Sequence, residues 1–423
     1  MARVETANKV VVVGLGYVGL PLALEAVAAG HDVTGYDTST ERVRRLHAAE
    51  SYVDDVDDVD LKEARETGRF VVTDRLDECR GFDIAIIAVP TPLRDGAPEL
   101  EYVIGATKAI GTILAAGGCV VLESTTYPGT TEQLVVPLLE ETSGLKAGRD
   151  FSVGYSPERI DPGNPVWTIG TTPKIVSGID QTSVERVRRF YATIVDRVVP
   201  VKGTKEAELA KLLENTFRHV NIALVNELAV YAHELGIDIW DVIDGADSKP
   251  FGFMRFSPGP GVGGHCLPID PSYLSWQVRR RLGTSFRFIE LANDINQRMP
   301  DYVVNRIGLS LNRQHLSVSG ARILLLGLAY KRNSGDARET PAARVAELLD
   351  RLGAELRIAD PLVEESPSVP GLRVEADAEE IASADLVVVL TDHDAFDWDS
   401  VRTNARAIFD TRHRLEGPNV EHL

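Results

Sequence analysis

The stretch Lys9-Val10-Val11-Val12-Val13-Gly14-Leu15-Gly16-Tyr17-Val18-Gly19-Leu20-Pro21, read on to Asp37, decides the fold. Four valines after a lysine form an apolar run of the kind that makes a strand buried on both faces. Residues 21–29 read as a helix, and His31–Tyr36 as the next strand. A Gly-x-Gly-x-x-Gly between strand and helix is a dinucleotide-binding corner. Gly14 makes the tight turn, Gly16 lets backbone approach a pyrophosphate, and Gly19 packs helix on strand. The backbone around Tyr17 and Val18 opens the helix, whose N–H groups face the anion. Asp37, ending the second strand, can accept from both ribose hydroxyls and repel a 2′-phosphate, which predicts NAD rather than NADP. The bland reading, a glycine-rich turn with a surface aspartate, explains neither the context nor the spacing.

Outward from this corner, Phe70–Thr73, Ile84–Val89 and Cys119–Leu122 continue the alternation of strand and helix. That alternation predicts a parallel, doubly wound sheet. From Thr204 to Leu235 the pattern becomes one helix without proline or internal glycine, roughly 48 Å long at 1.5 Å per residue. Such a helix bridges two domains or forms a dimer seam. Helical patterns at Tyr273–Leu282 and Ile289–Leu311 follow. A second α/β series then begins: strand Arg322–Leu328, helix Thr340–Leu352, and strands Glu355–Ala359 and Leu386–Leu390. The predicted class is α/β, with two Rossmann-like parallel-sheet domains joined by a long central helix and helical region. The expected boundaries are 1–200, 201–312 and 313–423.

The 423 residues carry 45 Lys+Arg against 63 Asp+Glu, a formal charge of −18, which argues against nucleic acid as a partner. Three cysteines, Cys79, Cys119 and Cys266, are too few and scattered for a disulfide framework or a CxxC metal site. They predict a reducing, cytoplasmic compartment and no metal. Arg3 and Lys9 before Val10–Leu24 superficially resemble a signal peptide, but glycine and proline interruptions favour a folded strand–turn–helix. No run reaches the ~18 apolar residues of a membrane span.

Other stretches carry potential chemistry. Val89-Pro90-Thr91-Pro92 and Glu123-Ser124-Thr125-Thr126-Tyr127-Pro128-Gly129-Thr130 each follow a strand, at the sheet edge where ligands bind. Taken alone, both are also ordinary turns. Cys266 ends a glycine- and proline-rich loop that starts at Pro258 and lies beside His265 and Asp270. A lone cysteine is usually an inert, buried apolar group, yet this setting equally admits a nucleophile. Lys211 and Asn215 share a helix face at i and i+4, with His219 next in line; isolated residues of this kind are commonly solvated. Tyr155-Ser156-Pro157-Glu158-Arg159 is a further loop with an acid.

Together these motifs strongly resemble the UDP-glucose/GDP-mannose dehydrogenase family, the nucleotide-sugar 6-dehydrogenases. The resemblance runs in order from GLGYVGLP at Gly14–Pro21 to LTDHDAF at Leu390–Phe396. Between them stand VPTPL (Val89–Leu93), ESTTYPGTT (Glu123–Thr131), SPERIDPGN (Ser156–Asn164), ENTFRHVNIALVNE (Glu214–Glu227), GPGVGGHCLPIDP (Gly259–Pro271) and AYKRNSGDARET (Ala329–Thr340).

The resemblance implies an NAD domain, a dimerising central helix and a C-terminal UDP-binding domain, in a homodimer or higher homo-oligomer. It implies that Cys266 is the catalytic thiol. Lys211 and Asn215 handle the oxyanion and an ordered water, and Asp270 supports that water and the lysine. Thr125 positions water, and Glu158 serves thioester hydrolysis. Pro90, Thr91, Thr125, Arg42 and Arg338 fall at cofactor-contacting positions. Glu158, Arg159, Lys211, Asn215, Gly263, Lys331 and Arg255 fall at substrate positions.

The chemistry expected from the resemblance is four-electron oxidation of a 6-alcohol to an acid. Ser248–Arg255, SPER, and LPID after the cysteine look most like the UDP-N-acetylglucosamine 6-dehydrogenase branch, with UDP-N-acetylmannosamine and UDP-glucose as alternatives. Asn333-Ser334-Gly335, between Lys331 and Asp336, departs from the family pattern in a polar loop. A two-electron hydroxyacid dehydrogenase would have no use for the thiol or the second α/β domain. A catalytically silent sugar-nucleotide-binding protein would not need activated water or a nucleophile.

Overall fold

The four valines of Lys9–Val13 form strand β1 and are all buried, alternate side chains entering the cores on opposite faces of a sheet. The computed structural model describes residues 7–53, 55–94, 96–161, 164, 166–264, 267–363 and 369–423. Cys266 and His265 lie outside the described residues. The chain divides into two units, Met1–Glu214 with Ser272–Arg281, and Asn215–Pro271 with Leu282–Leu423.

In the first unit β1 is joined by β2 (Asp32–Tyr36), β3 (Phe70–Thr73) and β4 (Ile84–Ile87). A short hairpin, β5 (Leu93–Arg94) and β6 (Ala97–Pro98), follows. Strands β7 (Cys119–Leu122), β8 (Ser152–Tyr155), β9 (Lys174–Gly178) and β10 (Val198–Pro200) complete the sheet. Its order is β10-β9-β8-β7-β4-β1-β2-β3, parallel throughout except for the antiparallel β8–β9 pair. Neighbours β4 and β2 lie on either side of β1, so the strand order reverses there and the carboxyl ends of β1 and β4 flank the crevice where such sheets bind ligands.

The second unit repeats the scheme. Strands β11 (Arg322–Leu326), β12 (Glu355–Ala359), β13 (Leu372–Arg373), β14 (Leu386–Val389), β15 (Ile408–Asp410) and β16 (Val420–His422) form an all-parallel sheet. The order is β13-β12-β11-β14-β15-β16. Leu324 and Leu326 face one core, Ile323 and Leu325 the other. The two parallel-sheet folds expected from the sequence are therefore present.

The long helix spans Thr204–Glu234. Its apolar stripe does not behave as a simple core face. Leu212 is buried, but Leu209, Leu213, Phe217, Leu224, Leu228 and Tyr231 are exposed in the single chain. The inward face carries Glu208, Lys211, Asn215, Thr216, His219 and Asn226 instead, all buried. His219, which the sequence left open as a surface residue, is 2% exposed, and its Nε2 lies 2.7 Å from Asn293 Oδ1. Burial lowers its pKa, so the neutral ring is favoured.

Candidate active site

At the end of β1 the chain turns sharply at Gly14, whose φ is +90°. A Cβ there would lie 2.6 Å from the Ala88 carbonyl oxygen, and one at Gly19 would lie 1.8 Å from that of Gly14. Around Gly16 the space is open, with nothing within 4 Å of a Cβ. An open corner thus lies at the N-terminus of helix Gly19–Ala28, with Tyr17 exposed beside it and Val18 at the N-cap. Asp37 closes the far side. Its Oδ2 accepts the Leu15 N–H at 2.9 Å, its Oδ1 accepts the Ser39 N–H at 2.9 Å, and Arg42 Nη1 stands 3.4 Å away. This arrangement fits NAD: a helix N-terminus at a glycine turn for the pyrophosphate and a fixed carboxylate for a ribose.

The next two loops are tied to one another. Ser124 Oγ donates to the Val89 carbonyl at 2.8 Å, and Tyr273 OH donates to that of Thr91. Pro90 is exposed, Thr91 buried and Thr125 half-buried. Beneath them Glu123 is 1% exposed; it accepts Tyr191 OH at 2.7 Å and meets Lys174 Nζ at 2.5 Å. Glu208 on the long helix is fully buried and holds the far end of the loop. It accepts the Gly129 N–H at 2.5 Å, and the Thr131 N–H and hydroxyl at 2.8 Å each. There the chain enters a π-helical turn, Thr131–Val135. Burial pushes the Glu208 carboxyl up to about 7, the three donors only partly opposing it.

One turn beyond Glu208, Lys211 Nζ donates to the Glu158 carbonyl at 2.6 Å and lies 3.3 Å from its carboxylate. Both side chains are nearly inaccessible, 6% and 12% exposed, so the solvated-lysine reading does not apply. Arg159 turns the other way, meeting Glu214 at 2.7 Å and the Pro173 carbonyl at 2.5 Å.

In the second unit Asn215 Nδ2 donates to Asp270 Oδ2 at 2.6 Å, and both residues are buried. Asp270 opens helix Asp270–Leu282. The glycines before residue 266 are enclosed: a Cβ at Gly263 would meet the Glu339 carbonyl at 2.7 Å, and one at Gly264 the Tyr330 ring at 2.8 Å. Gly264 N–H also bonds the Arg338 carbonyl at 3.0 Å. Arg338 forks onto Asp336, with Nη2–Oδ2 at 2.6 Å, and Lys331 is half-buried. Arg255 is exposed and paired with Asp244 and Asp247.

The edge of the second sheet copies the first corner. Gly327 turns at φ +88°, and Asp360 Oδ2 accepts the Leu328 N–H at 2.6 Å, as Asp37 does from Leu15. Burial alone would raise the Asp360 carboxyl. The His393 donor and the N–H groups of Ala329, Leu362 and Leu328 outweigh it and hold the group well below the usual carboxylate range. Asp360, which ends the second strand of its sheet as Asp37 does of the first, left a readable signal; Glu208 and the Glu123–Lys174–Tyr191 cluster left none, since their partners are distant in sequence.

Among the described residues no helix is long and apolar enough to cross a membrane. Comparison with known proteins identifies the UDP-glucose/GDP-mannose dehydrogenase family three times along the chain. Its NAD binding domain matches residues 8–195, its central domain 205–298 and its UDP binding domain 324–417. A UDP-N-acetyl-D-mannosamine dehydrogenase of Pyrococcus horikoshii is 35% identical over 97% of both chains. A UDP-N-acetyl-D-glucosamine 6-dehydrogenase of Pseudomonas aeruginosa is 38% identical over 84% of this chain and 83% of its own. The solved structure of a UDP-glucose dehydrogenase from Pyrobaculum islandicum superposes with a TM-score of 0.89 at 28% identity, covering 100% of this chain and 98% of that one. With a corner that fits NAD at one end and its copy at the other, the chain belongs to the UDP-glucose/GDP-mannose dehydrogenase family and carries that family's NAD-binding and UDP-binding domains.

Proposed function

We propose that this enzyme oxidises the 6-hydroxyl of a UDP-sugar to a carboxylate through a thioester on Cys266, with UDP-N-acetylglucosamine as substrate and UDP-N-acetylglucosaminuronate as product. One observation carries the reading. Two buried residues one turn apart on the long helix each bond an acid: Lys211 holds Glu158 and Asn215 holds Asp270. A binding protein has no need of such paired acids and donors.

NAD, bound in the Gly14–Gly19 corner against Asp37, supplies the hydride acceptor for each of two oxidations. In the first, water held by Asn215 and Asp270 takes the 6-hydroxyl proton as the carbon loses hydride, leaving an aldehyde. The Cys266 thiolate adds to the aldehyde carbon, so a C–S bond forms as the C=O π pair moves to oxygen, which takes back the proton held at the water and becomes a hydroxyl. Loss of that proton and of a second hydride leaves the thioester. Glu158 then takes a proton from the attacking water, and the Lys211 ammonium stabilises the developing oxyanion. The C–S bond breaks and the thiolate leaves. The Lys211–Glu158 contact supports this division of roles, because acid and cation are held together before substrate arrives. Thr125 positions water; Arg159, Arg255, Gly263, Lys331 and Arg338 complete the binding set.

The family's three matched segments support the division into 1–200, 201–312 and 313–423. The exposed apolar face of the long helix supports a homodimer. The Pyrococcus relative, matched over 97% of its length, favours UDP-N-acetylmannosamine as the second reading. Incubating the protein with NAD and a panel of UDP-sugars, while following NADH and acid, tests the assignment. UDP-N-acetylglucosamine should turn over with two NADH per acid formed, and Cys266→Ser should release no acid while still binding sugar. One NADH per sugar, or acid from the variant, would overturn it.

A further inference from the structure

We propose that His393 is a positioning residue for the uridine nucleotide: its imidazole bridges the Asp360 carboxylate to the main chain of Asn333 and so fixes the loop that carries Lys331. The inference rests on the reading above, in which that loop holds UDP.

His393 follows β14 in the LTDHDAF stretch and is fully buried. Its Nδ1 accepts the Asn333 N–H at 3.0 Å and its Nε2 lies 3.1 Å from Asp360 Oδ2. These partners determine the tautomer: a nitrogen that accepts an N–H carries no proton, so the ring proton sits on Nε2 and is donated to the carboxylate. Asp37, the counterpart of Asp360 in the first unit, accepts from the Leu15 and Ser39 N–H groups and pairs with the partly exposed Arg42, with no imidazole bonded to it among the described residues. One carboxylate is thus presented at a cofactor corner, while its copy is capped by an imidazole that reaches on to the loop.

What the imidazole holds is the departure from the family pattern, Asn333-Ser334-Gly335. Asn333 takes a left-handed conformation, φ +56°, which asparagine tolerates better than most residues. Its side chain makes a reciprocal pair with Asp394: Nδ2 donates to Oδ2 at 2.7 Å, and Asp394 N–H donates to Oδ1 at 2.9 Å. The loop closes where the Tyr330 N–H bonds the Asp336 carbonyl at 3.0 Å. Tyr330 and Arg338 in turn enclose Gly263 and Gly264, just ahead of Cys266. A buried imidazole at one end therefore sets both the nucleotide loop and the shoulder of the thiol loop.

Titration of the full chain with UDP and, separately, with NAD tests this, using His393→Ala, His393→Asn, His393→Gln and Lys331→Ala. Losing one buried hydrogen bond that orders the loop should weaken UDP binding about tenfold in His393→Ala. NAD affinity should stay within about twofold. Asparagine keeps an acceptor near the Nδ1 position and should recover most UDP affinity; glutamine, which keeps only the donor to Asp360, should not. Equal losses of UDP and NAD affinity would show a general folding role and overturn the proposal, as would full recovery by glutamine. Unchanged UDP affinity in His393→Ala, with a loss in Lys331→Ala, would overturn the positioning role alone. Unchanged affinity in Lys331→Ala would overturn the reading of the loop itself.

Discussion

Asp37 is a carboxylate held on two sides by main-chain N–H groups, so it cannot swing away from a ligand with a 2′-phosphate. Arg42 stands 3.4 Å from it and is 44% exposed. Removing the carboxylate leaves this guanidinium beside the ribose position, where a cation welcomes a 2′-phosphate. Asp37→Ala should therefore raise KM for NAD and lower KM for NADP, moving the ratio of their kcat/KM values toward NADP by about tenfold or more. Steady-state kinetics with both cofactors measures the ratio, and an unchanged ratio would count against the ribose role. The residue was legible in the sequence because the corner is local. Glu208 was not: its partners Gly129 and Thr131 lie far off in sequence, and only folding reveals a buried acid at a π-turn.

Glu208 also belongs to an element, because it joins the long helix to the turn that ends the Glu123–Thr130 stretch. Its carboxyl is raised from 4.5 to about 7 in the fold. The unfolded chain thus binds fewer protons at this site than the folded chain between those values, and stability falls as pH rises through that window. The contribution is full below about 4.5 and lost above about 7. Glu208→Gln cannot ionise, so urea unfolding of the variant should lack this part of the decline between pH 5 and pH 8. It should also cost about 1–3 kcal/mol at pH 5, since an amide offers one acceptor where the carboxyl serves three donors. A variant with the wild-type pH slope would exclude Glu208 as its source.

The same helix shows why pattern reading succeeded in placing it but failed to orient it. Strands such as Phe70–Thr73, Cys119–Leu122 and Glu355–Ala359 match their expected limits because their runs are short and turn-bounded. The helix extent also matched to within a residue, ending at Glu234. Its leucines other than Leu212, however, point outward, while Lys211 and Asn215 turn inward to Glu158 and Asp270. Spacing fixes which residues share a face; it does not say which face is covered. Leu224 and Leu228, both exposed in the single chain, fit a face covered by a second copy. Leu224→Asp should shift the proposed dimer to monomer in sedimentation at micromolar concentration, with the far-UV spectrum kept. An undisturbed dimer would place the interface elsewhere.

At the scale of the whole molecule, a chain of net charge −18 belongs to a family that binds two anionic nucleotides. Long-range attraction is thus unavailable, and binding must rest on local N–H groups and a few nearby cations, for which Lys211, Lys331 and Arg338 are the residues proposed above. The same economy applies to its thiols. Burial pushes Cys79 up to about 11 and Cys119 up to about 12, so near pH 8 either is a thiolate in no more than roughly one molecule in a thousand. Both are buried as well, which closes them to reagents. Iodoacetamide applied to the folded chain at pH 8 should therefore alkylate one cysteine quickly, Cys266, and acid formation should disappear in proportion. Peptide mapping identifies the labelled residue, and Cys266→Ala should leave only slow labelling that follows unfolding. Rapid labelling of Cys79 or Cys119, or activity that survives alkylation of Cys266, would remove the thioester from the mechanism while leaving both nucleotide corners in place.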